Sequence, residues 1–262
     1  MRNLQKYGMV FRLSCLLTLK NYKALIGMSI FLVSCLVIFS FLWKVAAAKV
    51  GAIDFSSDQL LWYIAFNEWV LLSLPDTHNE IEEDLHTGRL AYLLSRPISY
   101  LGSIFAGAFG VLSINLLVLG GVTLLFTSSQ VGLLSVHPLS FFAFLLFGFL
   151  GGILGIIFQM LIGLSAFWVQ DVEPFLWIWE RLLFIFGGII LPLIVFPEWM
   201  QVMAYLTPFP AILGERSALF MHFTWEHILV FLGMWMFWCI FGCLCLIFFY
   251  RRGLKILNIQ GG

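Results

Sequence analysis

Residues 101–126 read LGSIFAGAFGVLSINLLVLGGVTLLF, and no charged side chain interrupts them. A helix needs about 20 apolar residues to cross the hydrocarbon of a bilayer, and this run supplies them. The rest of the chain agrees. Of its 262 residues 61% are hydrophobic and 11% charged, and the mean hydropathy is +1.00. Length alone would suggest one or two water-soluble domains, and the composition excludes that reading. The formal net charge is zero, so nothing points to nucleic acid as a partner, and none is expected.

Working outward from this run, similar stretches recur along the chain. Spans are expected at about Ala24 to Trp43, Leu60 to Leu74, Leu101 to Phe126, Leu139 to Trp168, Phe175 to Phe196 and Ile228 to Tyr250. The expected fold class is an all-α integral membrane protein of six transmembrane helices, forming one domain over residues 1–262. An even count puts both termini on one side of the bilayer. Lys and Arg choose the side, because short cytoplasmic segments carry an excess of them. Arg2, Lys6, Arg12, Lys20 and Lys23 precede the first span, Arg89 and Arg96 follow the second, and Arg251, Arg252 and Lys255 follow the last. The opposite side holds only Lys44, Lys49 and Arg216. Both termini are therefore expected in the cytoplasm of a multi-pass protein in a bacterial-type cytoplasmic (inner) membrane. Residues 197–227, flanked by Trp199 and Trp225, become an outer re-entrant or interfacial segment with aromatic anchors.

Smaller features fit the same frame. Residues 1–23 mix Leu4, Phe11 and Leu17 with basic side chains and lack Pro, which suits a helix lying in the cytoplasmic interface. Cys15, Cys35, Cys239, Cys243 and Cys245 lie in apolar runs rather than polar loops, so they are expected to be reduced. The last three lack the flanking ligands of a closed zinc site, and no metal site is expected. No small-residue cleavage site follows the first apolar run, so no cleavable leader is expected. Gly148 with Gly152, and Gly151 with Gly155, are four apart and give the fourth span small-residue packing faces.

Residues 79–100, NEIEEDLHTGRLAYLLSRPISY, break the pattern. Glu80, Glu82, Glu83 and Asp84 gather on the side that should be basic. Asn79 can cap a helix whose first turn these acids would occupy, where the helix dipole favours negative charge. Ile81 and Leu85 are four apart and share a face, Gly88 supplies a stop, and Pro97 marks the break before the next span. The segment 77–98 is therefore expected to hold a short amphipathic helix at the cytoplasmic face. Its ordered acidic surface suits docking of another protein, with Ile81 and Leu85 supplying most of the binding.

The same stretch closely resembles the segment between spans two and three of the type-2 (ABC-2) permeases of ATP-binding-cassette transporters. The matching positions are Glu82, Glu83, Gly88, Arg89, Leu93, Leu94, Arg96 and Pro97. A second resemblance lies in FPEWMQVMAYLTPFPAILGERSALF, at Pro197, Trp199, Leu206, Pro208, Phe209 and Pro210. The six-span layout and the basic tail YRRGLKIL agree with it. The resemblance implies a permease domain that pairs with a second permease chain, as a homodimer or a related heterodimer. It implies docking of separate ABC ATPase subunits on a coupling helix, with Ile81, Glu82, Glu83, Leu85, Gly88, Arg89, Arg96 and Pro97 as the coupling residues. It also implies export of a hydrophobic or amphipathic substrate. The chain has no GxxxxGK[ST] stretch to cradle phosphates, so ATP and Mg are expected on the partner ATPase, with no cofactor and no catalysis here.

The remaining polar residues allow more than one role. Asn67 and Glu68 fall inside the second span, where polar groups are costly; they either line a pathway or brace a neighbouring helix. Glu180 and Arg181 are adjacent and point apart, and Arg181 is expected to snorkel toward headgroups. His222 and His227 are five apart, unlike the four-residue spacing of HExxH, so HFTWEH is expected to be an outer loop. The alternative function is an integral-membrane lipid-modifying enzyme using His222, Glu226, His227 and Glu68. It lacks the clustered acid, base and nucleophile that such a site requires.

Overall fold

Backbone that enters lipid must satisfy its own hydrogen bonds, and helices do so within one segment. The computed structural model describes residues 2–49, 56–132, 138–215, 217 and 225–260, and among these there is no strand. In chain order the helices are α1 (Arg2–Lys20), α2 (Tyr22–Lys49), α3 (Ser57–Ser73), α4 (Thr77–His86), α5 (Arg89–Leu94) and α6 (Tyr100–Val131). They continue with α7 (Pro138–Leu164), α8 (Glu173–Phe186), α9 (Glu198–Tyr205), α10 (Phe209–Ile212) and α11 (Trp225–Gln260).

Among the described residues, four stretches are long and apolar enough to cross a membrane: Tyr22–Val45, Tyr100–Val131, Leu145–Phe167 and Trp225–Ile256. They correspond to four of the six expected spans. The other two are shorter. At 17 residues α3 is about 26 Å long, from a rise of 1.5 Å per residue. It is also the centre of the bundle, because every residue from Leu60 to Val70 is buried. Ser56 opens it with a reciprocal cap: its hydroxyl accepts from the Gln59 N–H, and the Gln59 side chain accepts from the Ser56 N–H.

The fifth expected span, Phe175 to Phe196, is not one helix. Its helix α8 is 14 residues long and ends at Phe186. Gly188 then takes φ +62°, a left-handed conformation open to glycine, and a short 3-10 turn at Leu193–Val195 follows Pro192. The chain returns through α9 and α10, whose Phe209, Pro210, Ala211 and Ile212 are buried. The Phe209 ring lies 4.8 Å from the Trp179 ring of α8, centroid to centroid.

Small residues set the helix spacing. A Cβ at Gly110 of α6 would lie 2.7 Å from the Phe11 carbonyl oxygen, so α1 packs on α6 almost backbone to backbone. The glycine ridges of α7 face different neighbours. Gly152 meets Leu112 of α6, whereas a Cβ at Gly151 would run into the Ile212 carbonyl oxygen.

Candidate functional site

The candidate site is the α4–α5 segment at one end of the bundle. Pro75 follows α3, and α4 begins at Thr77 with Asp76 as its cap residue. Asn79, the expected cap, lies inside the first turn instead. Asp76 makes no side-chain cap bond; Gln159 of α7 reaches across and accepts from the Thr77 N–H at 3.2 Å. One turn along α7, Gly163 provides the seat. A Cβ there would lie 3.0 Å from the Cα and carbonyl oxygen of His78 and from the Cβ of Ile81.

Ile81 is consequently 0% exposed, and Leu85 is half-buried against the same core. This corrects the expectation that the two residues form the docking face. An amphipathic helix shows that one face is apolar, and here that face covers α7 of the same chain. Glu82 also turns partly inward, where its carboxylate accepts from the Val172 N–H at 3.1 Å and ties α4 to the start of α8.

Asp84 is the anchor to α6. It is 1% exposed, and Tyr100 donates its hydroxyl to Oδ2 at 3.0 Å. Arg89 places Nε 3.1 Å from Oδ1 in an ion pair, with the Arg89 side chain half exposed. Gly88 connects the two short helices with φ 70°, stopping α4 as expected and allowing Arg89 to fold back toward Asp84. The carboxyl of Glu80 is held above its usual range, mainly because surrounding protein desolvates it and Asp84 repels its charge, with Arg89 opposing both.

Downstream, α1 clamps the exit of the segment. Lys6 donates to the Pro97 carbonyl at 3.1 Å, and the Ser99 N–H donates to the Tyr7 hydroxyl at 3.0 Å. Arg96 lies 4.9 Å from the Tyr92 ring centroid, over its face. The outward surface of the segment is then Glu83, Arg89, Tyr92, Leu94 and Arg96, with Tyr92 64% and Leu94 40% exposed. Sequence reading missed Gln159, Gly163, Tyr7, Tyr100, Tyr92 and Asp76. Gln159 carried a usable signal, as a polar residue inside an apolar span.

The electrostatics of Asp84 give an asymmetric prediction. Arg89→Met leaves a buried carboxylate with Tyr100 alone, and should destabilise the chain by about 1–3 kcal/mol. Asp84→Asn keeps an acceptor for Tyr100 and frees an Arg that already reaches water. It should lower the melting temperature less. Scanning fluorimetry of both variants checks the order, and the reverse order would show that Arg89 does not hold Asp84.

A second polar cluster lies inside the bundle. Asn67 is fully buried, donates to the Gly188 and Ile189 carbonyls at 3.3 and 3.2 Å, and accepts from the Ser217 hydroxyl at 2.6 Å. Tyr63, one turn earlier, donates to the Gly188 carbonyl. These contacts satisfy carbonyls freed by the break after α8, so Asn67 braces that break. Glu68 is 7% exposed and within electrostatic reach of Cys35 of α2.

The other expected residues are dispersed. Trp199 is exposed on α9, Pro208 caps α10, and Phe209 and Pro210 are the buried first residues of that helix. Arg181 lies 4.6 Å from the Trp177 ring centroid one turn back on α8. Glu226 and His227 sit in the first turn of α11, and Arg216 and His222 lie outside the described residues. Among the described residues no group of three or more His, Cys, Asp or Glu could hold a metal ion.

A family model described as "ABC-2 family transporter protein" matches residues 36–261. The search of curated proteins found no match.

Proposed function

The chain belongs to the ABC-2 transporter family, and from that premise we propose that it is one half of a translocation pathway driven by a separate ABC ATPase. The membrane permease role is the family's. What we add is how this chain would perform it. Residues 1–262 act as one transmembrane domain in which α3 and the broken α8 segment join the four long helices to make six passes. Both termini face the cytoplasm of an inner membrane. There α1 lies in the interface with Leu4, Met9 and Leu13 exposed toward lipid. The segment 197–227 lies at the outer surface. A second permease chain supplies the other wall, and an amphipathic substrate leaves the cell. ATP and Mg bind the ATPase.

The observation that carries this reading is the mounting of α4. Its inner face is fixed to α7, α6 and the start of α8, while Glu83, Arg89, Tyr92, Leu94 and Arg96 remain open. A push on that surface is delivered to three elements of the bundle. Tyr92 and Leu94 supply most of the docking, because exposed ion pairs contribute only about 0–1 kcal/mol each.

The test is co-purification of the ATPase with a Tyr92→Asp, Leu94→Asp double variant. The ATPase should be lost while the permease keeps its parent melting temperature, and Glu83→Gln should change little. A double variant that retains both its ATPase and parent-level transport would remove the coupling role. Nothing in the positions of Glu68, Glu226 and His227 favours the lipid-enzyme alternative.

A further inference from the structure

Within the six expected spans the charged residues are Glu68, Glu180 and Arg181. Glu68 is buried in the centre of the bundle, whereas Glu180 and Arg181 are exposed on α8. The exposed faces of α2 and α11 carry no charge within their spans and suit lipid. A carboxylate and a guanidinium on such a surface are costly, and groups of this kind turn to protein or to a wet cavity. Among the described residues neither forms an ion pair within the chain, and Arg181 overlies the Trp177 ring.

The packing of α8 leaves this face open. Its buried residues are Leu176 and Leu183, seven apart, so one narrow stripe holds the helix to the rest of the chain. At 3.6 residues per turn, successive side chains lie about 100° apart around the axis. Trp177 and Phe184 then share a second stripe, also seven apart, and both are exposed. Glu180 falls about 50° to one side of that stripe and Arg181 about 50° to the other. Ile178 and Ile185 lie further round, beyond Arg181.

This arrangement is self-complementary. About a two-fold axis along the membrane normal, a second copy presents the same stripe at the same depth. Each flank of one helix then faces the opposite flank of the other. Glu180 meets Arg181 of the partner subunit, and Arg181 meets the partner subunit's Glu180. Parallel coiled coils use the same geometry, with an apolar seam repeating every seven residues between charged flanks that select the partner.

We propose that α8 is the seam between two copies of this chain, with Trp177 and Phe184 at the axis and Glu180 and Arg181 forming two reciprocal ion pairs across it. A second copy fits this face and lipid does not, because hydrocarbon offers neither charge a partner. The inference rests on the transport reading, which calls for a second wall, and names the surface that joins the two walls. Glu82 of α4 accepts from the Val172 N–H at the start of α8, so the seam is one contact away from the segment that receives the ATPase.

Two differently tagged copies of the full chain are co-expressed, and recovery of one through the tag of the other reports the pairing. Parent copies should co-purify. Glu180→Arg alone gathers four guanidinium groups at the seam, and Arg181→Glu alone gathers four carboxylates. Either should lower the recovered partner at least about tenfold, because like charges across an interface repel. Crossing Glu180→Arg copies with Arg181→Glu copies should restore it, since every flank then meets its opposite. The double variant Glu180→Arg, Arg181→Glu should pair with itself for the same reason. A role confined to the fold of one chain would not be rescued by crossing two damaged chains.

A second measurement leaves the charges alone. With the five native cysteines replaced by serine, oxidation should link Phe184→Cys copies and leave Ile185→Cys copies unlinked. Parent-level recovery in both single-charge variants, no gain on crossing them, or linking at Ile185→Cys in place of Phe184→Cys overturns the proposal and leaves a two-chain permease standing. Parent copies that never co-purify, in a preparation that keeps its ATPase and its transport, would remove the second wall and the seam together.

Discussion

Ile81→Asp should strip the ATPase from the complex and lower the permease's own melting temperature in the same preparation. The side chain is 0% exposed and packs against Gly163 of α7. A carboxylate placed there is taken out of water against α7, and burying a charge without a good counter-charge costs several kcal/mol. The helix would lift, and with it the contacts of Glu82 to Val172 and of Asp84 to Tyr100. Leu85→Asp is half-buried and should do less. Co-purification and scanning fluorimetry on one sample test this directly. A normal melting temperature with the ATPase absent would put Ile81 on the outer face after all. The contrast with Tyr92→Asp, Leu94→Asp is the informative one, because that pair should lose the ATPase without losing stability.

Asn67→Leu should release the segment after α8. The substitution leaves the Ile189 carbonyl and the Ser217 hydroxyl without the partner they now have, and leaves Gly188 to Tyr63 alone. At about 1–3 kcal/mol for each buried group left unpaired, the loss should be enough to loosen that segment. Asn67→Asp should be nearly as damaging, since an ionised carboxylate cannot donate to the two carbonyls. The measurement is alkylation of a cysteine introduced at Ala204, which is fully buried in the parent. Labelling should be slow in the parent background and fast with either Asn67 substitution. Equally slow labelling in all three would mean the cluster contributes little.

Much of the architecture was legible because lipid imposes a simple rule on composition. The runs behind α2, α6, α7 and α11 are apolar along their length, and each is a long helix. The acids of α4 and the stop at Gly88 were equally plain, since both obey local helix chemistry. What failed was long-range. The cap of α4 was misplaced to Asn79 because Gln159, which holds the Thr77 N–H, lies 82 residues away. Apolar spacing gave Ile81 an apolar face but not its owner, and Gly163 decides that α7 owns it.

The break after Phe186 was hidden for a related reason. Hydropathy reports how deep a segment may lie, not the path it takes. The signal was elsewhere, in Tyr63 and Asn67, two polar residues one turn apart within the second span. Groups in that position need partners, and a helix that stayed regular through Ile189 would have had no carbonyls to offer them.

The mounting of α4 also decides what can be transplanted. A graft of residues 77–98 into a related permease would carry the outward surface and leave its sockets behind. The recipient would need a donor for the inner carboxylate of Glu82, an amide acceptor in the place of Gln159, and a glycine where Gly163 lets α4 descend. It would also need the reach of Lys6 and Tyr7 from α1. Partner specificity in such a protein is therefore not a cassette that can be exchanged between relatives. Its smallest portable unit includes pieces of four helices, and chimeras cut at the ends of the acidic stretch should fail for want of fit.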